Sequence, residues 1–158
     1  NLIGPLSSPA QVKRQVVGVY DKKWMKPFAE ALRENFVEHA YIVHSEDGMD
    51  EISPFAKTNI VELKNKNINE FTIDPMSLGI KFNNKSNLKG KNADYNSAKI
   101  IEIYKGMSNE FSQAVALNVA AGLIVSDKEN DFKIAFEKAT KQLKSGNVYK
   151  HLIKIQSA

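Results

Sequence analysis

The sequence predicts an α/β domain: a parallel or mixed central sheet flanked by helices, with a hairpin extension and a helical C-terminal region. Three observations predict it. A valine run, an amphipathic stretch and a second apolar run follow one another between Gln15 and Ser45, the order of strand, helix and strand. Two alternating segments then flank Lys64-Asn-Lys66. From Ala93 onward four segments repeat apolar residues at helical spacing.

Gln15 to Tyr20 reads as a short buried strand, and Met25, Phe28, Ala29, Leu32 and Phe36 share one helical face. Ala40 to Ser45 is the second strand. A strand, a crossover helix and a strand make a βαβ unit whose two strands run parallel. Asn59 to Leu63 and Asn67 to Ile73 alternate apolar and polar residues, as a hairpin with one wet face does. Asp74-Pro75 supplies an N-cap followed by a proline suited to a first helical turn. The polar stretch from Lys81 to Asn92 has no period and is expected to be a loop. Helices are expected over Ala93 to Tyr104, Glu110 to Val125, Asp131 to Leu143 and Val148 to Ile155, with breaks at Gly106, Asp127 and Gly146.

With 158 residues, 42% of them hydrophobic and 25% charged, the chain is long enough to bury a core and too short for two domains. It has no cysteine, which excludes disulfides and thiolate metal sites and fits a reducing, cytoplasmic location. No run reaches the roughly 20 apolar residues of a membrane span; the longest, Ala114 to Val125, contains Asn118. The charge of +4 is spread over scattered lysines, the pattern of a solvated surface, with a general preference for anions as the weaker alternative. The chain starts at Asn1 in mid-motif, so it is expected to be part of a longer protein.

The chemistry concentrates after the second strand. Glu46-Asp-Gly-Met-Asp-Glu51 lies where a parallel strand ends, the edge at which open α/β sheets bind ligands. Asp50 and Glu51 are adjacent hard carboxylates of the kind that suits Mg²⁺, which takes one or two of them together with waters and substrate phosphate oxygens. An acidic surface turn would look the same in isolation. His44, at the strand end, is expected to be packed and hydrogen-bonded rather than catalytic, His39 and His151 show no partner, and Ser53 could brace the acidic loop.

The run Val43-His-Ser-Glu-Asp-Gly-Met-Asp-Glu-Ile-Ser53 resembles the signature of the anthranilate phosphoribosyltransferases, in which a strand ending in Val-His leads to Gly-Leu/Met-Asp-Glu-Val/Ile-Ser. Asn1-Leu-Ile-Gly-Pro-Leu-Ser-Ser-Pro-Ala10 is similar to the family's Asn-Leu/Ile-Leu-Gly-Pro-Leu-Thr-Asn-Pro-Ala, and a valine-rich strand ending Gly18-Val-Tyr20 follows it. Leu88-Lys-Gly90 with Asn96, the segment Leu117 to Leu123, and Ser145-Gly146 are weaker echoes in the same order. Lys91 stands where the family has a second glycine, Tyr95 where it has a glutamate, and Ser7-Ser8 where it has Thr-Asn.

The resemblance implies transfer of the 5-phosphoribosyl group from phosphoribosyl pyrophosphate to anthranilate, a step of tryptophan biosynthesis, with Asp50 and Glu51 holding Mg²⁺. It implies that Gly4 and Pro5 form part of the anthranilate-side wall; a plain turn before the first strand is the other reading of the pair. It also implies that residues 1–158 are the C-terminal part of the catalytic domain. The glycine-rich phosphate loop and a small helical dimerisation domain would then lie outside this chain, which alone would be inactive. Two other readings stand beside it. A nucleic-acid-binding relative of the fold should carry a one-sided basic stripe, and only Lys81, Lys85, Lys89 and Lys91 gather round one loop. A pyrimidine nucleoside phosphorylase would lack the Asn1 to Pro9 block.

Overall fold

The computed structural model describes residues 3–81 and 88–157. A helical turn α1 (Ile3–Leu6) precedes strand β1 (Arg14–Gly18), helix α2 (Met25–Glu34) and strand β2 (His39–Ser45). Strands β3 (Thr58–Lys64) and β4 (Asn67–Ile73) form the hairpin, and helices α3 (Ala93–Tyr104), α4 (Glu110–Val125), α5 (Phe132–Lys144) and α6 (Asn147–Gln156) complete the chain. The sheet is mixed, in the order β1-β2-β3-β4. β1 and β2 are parallel, as a crossover through α2 requires, and the other two pairings are antiparallel.

Successive residues of a strand face opposite sides, and β2 is buried on both. Ala40 and Ile42 join Val17, Val61 and Leu63 beneath Phe28, Ala29 and Leu32 of α2. Tyr41 and Val43 join Ile60 and Ile73 beneath Leu117, Ala120, Ala121 and Ile124 of α4. α4 is apolar around most of its circumference because it is covered twice, by the sheet on one side and by α5 on the other. Leu117→Ala, at a side chain with no exposed surface, is expected to cost about 2–5 kcal/mol of stability in urea unfolding. A loss well below that range would show that α4 can close over the cavity.

Local signals explain the element ends. Asn65 and Lys66 both have positive φ (49° and 68°), the two-residue turn that matches the twist of a hairpin. β4 is an edge strand in which Ile73 alone is buried, so it is more exposed than the one wet face that its alternation predicts. Asn92, Asn109 and Asp131 cap α3, α4 and α5 by accepting a backbone N–H three residues on. Asp74 also caps through its side chain, but the element it opens is a single 3₁₀ turn, Pro75–Leu78. Half of the Lys81 to Asn92 stretch, residues 82–87, lies outside the described residues.

Phe36 departs from its expected place on the α2 core face. It lies beyond the helix end with φ 58° and is 77% exposed. The chain must reverse there: Phe36 N–H donates to Arg33 O and Val37 N–H to Leu32 O, both at 3.1 Å. This is a left-handed helix stop, and it is Val37 that packs in the core with Leu32.

The amino-terminal ends of β1 and β2 are tied to the end of α4 by charge. Arg14 donates to Asp127 and to Val125 O, and lies 3.6 Å from Glu38. His39, expected to have no partner, is buried with Nε2 3.0 Å from Glu62 and Nδ1 3.4 Å from Asp127. The hydrogen bond from Arg14, reinforced by the charges of Arg14, Lys64 and His39, holds the Asp127 carboxyl below its ordinary value of 3.8. In the window below 3.8 the unfolded chain therefore binds more protons at this site than the folded one, so the contribution is complete above that value and is lost as the pH falls further. The difference in urea midpoint between wild type and Asp127→Asn is expected to shrink as the pH drops below 3.8. A difference constant with pH would mean that Asp127 acts through packing alone.

Candidate functional site

β2 delivers the acidic loop to the carboxyl-terminal edge of the sheet, where β1 also ends. The turn at the loop's start is short: Gly48 N–H donates to Ser45 O (3.0 Å) and Ser45 N–H to Met49 O (2.9 Å). Gly48 takes φ 87°, a conformation that glycine adopts at little cost. The Asp47 carboxylate accepts from Met49 N–H (3.3 Å) and from Ser53 Oγ (2.9 Å), and Ser53 Oγ in turn accepts from Phe55 N–H (3.0 Å). Ser53 thus braces the loop through Asp47. Ile52, Ser53 and Pro54 are buried, which leaves Asp50 and Glu51 as an exposed crest between anchored ends.

Two further anchors fix its height. Asn118, on α4, brackets the backbone of Ile52: Ile52 N–H donates to Asn118 Oδ1 (3.0 Å), and Asn118 Nδ2 donates to Ile52 O (3.1 Å) and to Ala114 O (2.9 Å). Below the loop, Gly18 closes β1 directly against Asp50. A Cβ at position 18 would stand 1.6 Å from the Asp50 carbonyl oxygen, so only glycine permits this approach.

The crest borders an open cleft of about 700 Å³. Val16, Gly18 and Val43 form its floor, Met49, Asp50 and Glu51 one wall, and Phe111, Ala114, Val115, Asn118 and Val119 of α4 the other. His44 is not part of it; its Nδ1 lies 2.8 Å from Val19 O, consistent with the packed role expected of it. Among the described residues no group of three or more His, Cys, Asp or Glu side chains gathers around a common point. Asp50 and Glu51 are a pair of hard oxygen donors of the kind that could hold Mg²⁺, a cation that completes its shell with water and phosphate, and two carboxylates are too few for an all-protein cage.

Gly4 and Pro5 are not brought to this cleft. Pro5 lines a second hollow of about 510 Å³ with Lys13, Gln15, Asn35 and Phe36, at the amino-terminal end of β1, and a Cβ built on Gly4 meets nothing within 4 Å. Chain direction is the cause: β1 runs from that end towards Gly18, so residues ahead of it lie a strand's length from Asp50. Sequence reasoning did not single out Gly18, Asp47 or Asn118 for the site. The signal for Asn118 was its isolation in an apolar run; a close backbone approach such as that of Gly18 leaves no trace beyond the glycine itself.

Among the described residues no helix is long and apolar enough to cross a membrane. Anthranilate phosphoribosyltransferases of Pelagibacter ubique and Parvibaculum lavamentivorans are 52% and 39% identical to the chain over 157 and 158 residues. These alignments cover 99% and 100% of the chain but 48% and 46% of the relatives, so the chain spans about half their length. The crystal structure of the Thermus thermophilus anthranilate phosphoribosyltransferase superposes with a TM-score of 0.87 at 30% identity, covering 97% of this chain and 45% of that one. The Saccharomyces cerevisiae enzyme in complex with PRPP and Mg shares the fold at TM-score 0.83 and 23% identity, over 94% of this chain and 43% of that one. The family described as "Glycosyl transferase family, a/b domain" matches residues 1–149, from the turn before β1 into α6, and the chain belongs to that family.

Proposed function

We propose that the full-length protein transfers the 5-phosphoribosyl group of phosphoribosyl pyrophosphate to the amine of anthranilate, in tryptophan biosynthesis, with Asp50 and Glu51 holding Mg²⁺. The observation that carries this reading is the crest itself: two carboxylates, exposed and braced from three sides, at the carboxyl ends of two parallel strands. The names of the relatives that match nearly all of the chain support the choice of substrates.

In the reaction the bond from the ribose C1 to the pyrophosphate oxygen breaks and a bond from C1 to the anthranilate nitrogen forms. The nitrogen then loses a proton. A divalent cation, when bound, offsets the charge of the departing pyrophosphate. This chain's residues hold and aim: Asp50 and Glu51 supply oxygen donors, and Gly18, Asp47 and Asn118 fix where those donors stand. An aromatic amine is a neutral nucleophile and needs no strong base.

On this reading the glycine-rich phosphate loop and the helical dimerisation domain come from sequence outside residues 1–158, and the full-length protein is a homodimer. The test is direct. The full-length protein should release pyrophosphate only when phosphoribosyl pyrophosphate, anthranilate and Mg²⁺ are all present, and chelation should stop it. Phosphorolysis of a pyrimidine nucleoside without any transfer to anthranilate would sink the proposal.

A further inference from the structure

The two downstream departures from the family pattern, Lys91 and Tyr95, meet in the structure. The Lys91 ammonium lies 4.7 Å from the centroid of the Tyr95 ring, and Lys99 reaches the same ring at 5.7 Å. Neither position is loose. Lys91 N–H donates to Asn96 Oδ1 (2.9 Å) and Asn96 Nδ2 donates to Lys91 O (3.3 Å), so one amide clamps the Lys91 backbone on both sides. Tyr95 is in the first turn of α3, its N–H held by the cap residue Asn92 at 3.0 Å.

These residues wall a groove of about 500 Å³ together with Lys89 and Glu110. Phe111 lines both this groove and the cleft of Asp50 and Glu51, and Leu88, the residue before Lys89, lines the cleft as well. The groove therefore adjoins the cleft at Phe111, as an arm beside it. Lys99 is offset by Glu102 at 2.7 Å, whereas neither Lys89 nor Lys91 has an ion-pair partner among the described residues. An acidic crest on one side and unpaired ammonium groups on the other suit a ligand bearing several negative charges. One part of such a ligand would be met through a cation and another by lysine directly.

We propose that Lys91, seated on Tyr95 and assisted by Lys89, holds a phosphate of the diphosphate-bearing ligand in this arm. The proposal rests on the transferase reading for the ligand's identity and makes Lys91 a positioning residue for the anion, not for the aromatic acceptor. The test is calorimetric titration of the folded full-length protein with inorganic pyrophosphate and Mg²⁺, alongside steady-state kinetics. Lys91→Met should weaken pyrophosphate binding about three- to tenfold, the size of one ordinary hydrogen-bonded contact in an open, solvated groove, and the difference should shrink as salt is added. Tyr95→Leu should give part of the same loss, Tyr95→Phe should keep the wild-type affinity because the ring is kept, and KM for anthranilate should not change in any of the three. Unchanged pyrophosphate affinity in Lys91→Met while the wild type still turns over overturns this proposal alone. Weakened pyrophosphate binding in an otherwise folded protein that never transfers to anthranilate supports the arm and overturns the transferase reading. Failure of the wild type to bind pyrophosphate overturns both.

Discussion

Gly18→Val in the full-length protein is expected to lower kcat/KM by about 100-fold or more, because the new side chain and the Asp50 carbonyl claim the same space. The Cβ alone would lie 1.6 Å from that oxygen and 2.6 Å from its carbon, both backbone atoms that cannot rotate away. The loop must shift by roughly 2 Å to restore ordinary contact, and a misplacement of about half that size can cost two orders of magnitude in rate. Overpacking should also cost about 1–3 kcal/mol of stability, so the thermal midpoint and the circular dichroism spectrum are measured with the kinetics. A variant that folds with near wild-type kcat/KM would show that the height of the crest above β1 is immaterial to the reaction.

The second large effect is expected from Asp50→Asn combined with Glu51→Gln. Both replacements keep shape and remove charge, and both side chains are exposed, so stability should not change. Activity should fall by roughly 10²–10³-fold, the scale of losing one preorganised electrostatic contact to the leaving group. The concentration of Mg²⁺ needed for half-maximal rate should rise as well, a readout that a general folding defect would not give. Wild-type Mg²⁺ dependence in the double variant would remove the carboxylates from the mechanism.

How much of this was legible in the sequence depended on whether the cause was local. β1, α2 and β2 follow from apolar periodicity, and the β3–β4 hairpin from alternation on either side of Asn65-Lys66. Periodicity is blind to chain reversal, which is why it places Phe36 in the core: the spacing continues the α2 stripe, but the helix stops two residues earlier and Val37 takes the buried place. Asp50 and Glu51 were readable because they are adjacent and sit after a strand. The residues that hold them were not, because Gly18, Asn118 and Asp50 are distant in sequence and meet only when β1, β2 and α4 have assembled. The charge cluster at the other end of the sheet was hidden for the same reason, since Arg14, His39, Glu62 and Asp127 come from four separate parts of the chain.

The side-chain amide of Asn118 offers Ile52 one acceptor and one donor side by side, which is what a neighbouring strand would have offered. For the length of one residue, a helix is impersonating the edge of a sheet. Strands tolerate slippage by two residues because their faces repeat, whereas a helix turns by about 100° per residue and has no such forgiveness. Adding or deleting a single residue between Glu110 and Asn118 would swing the amide out of reach while leaving every strand in register. Length variation in the first half of α4 should therefore be far less tolerated than the same variation in the turn between β3 and β4.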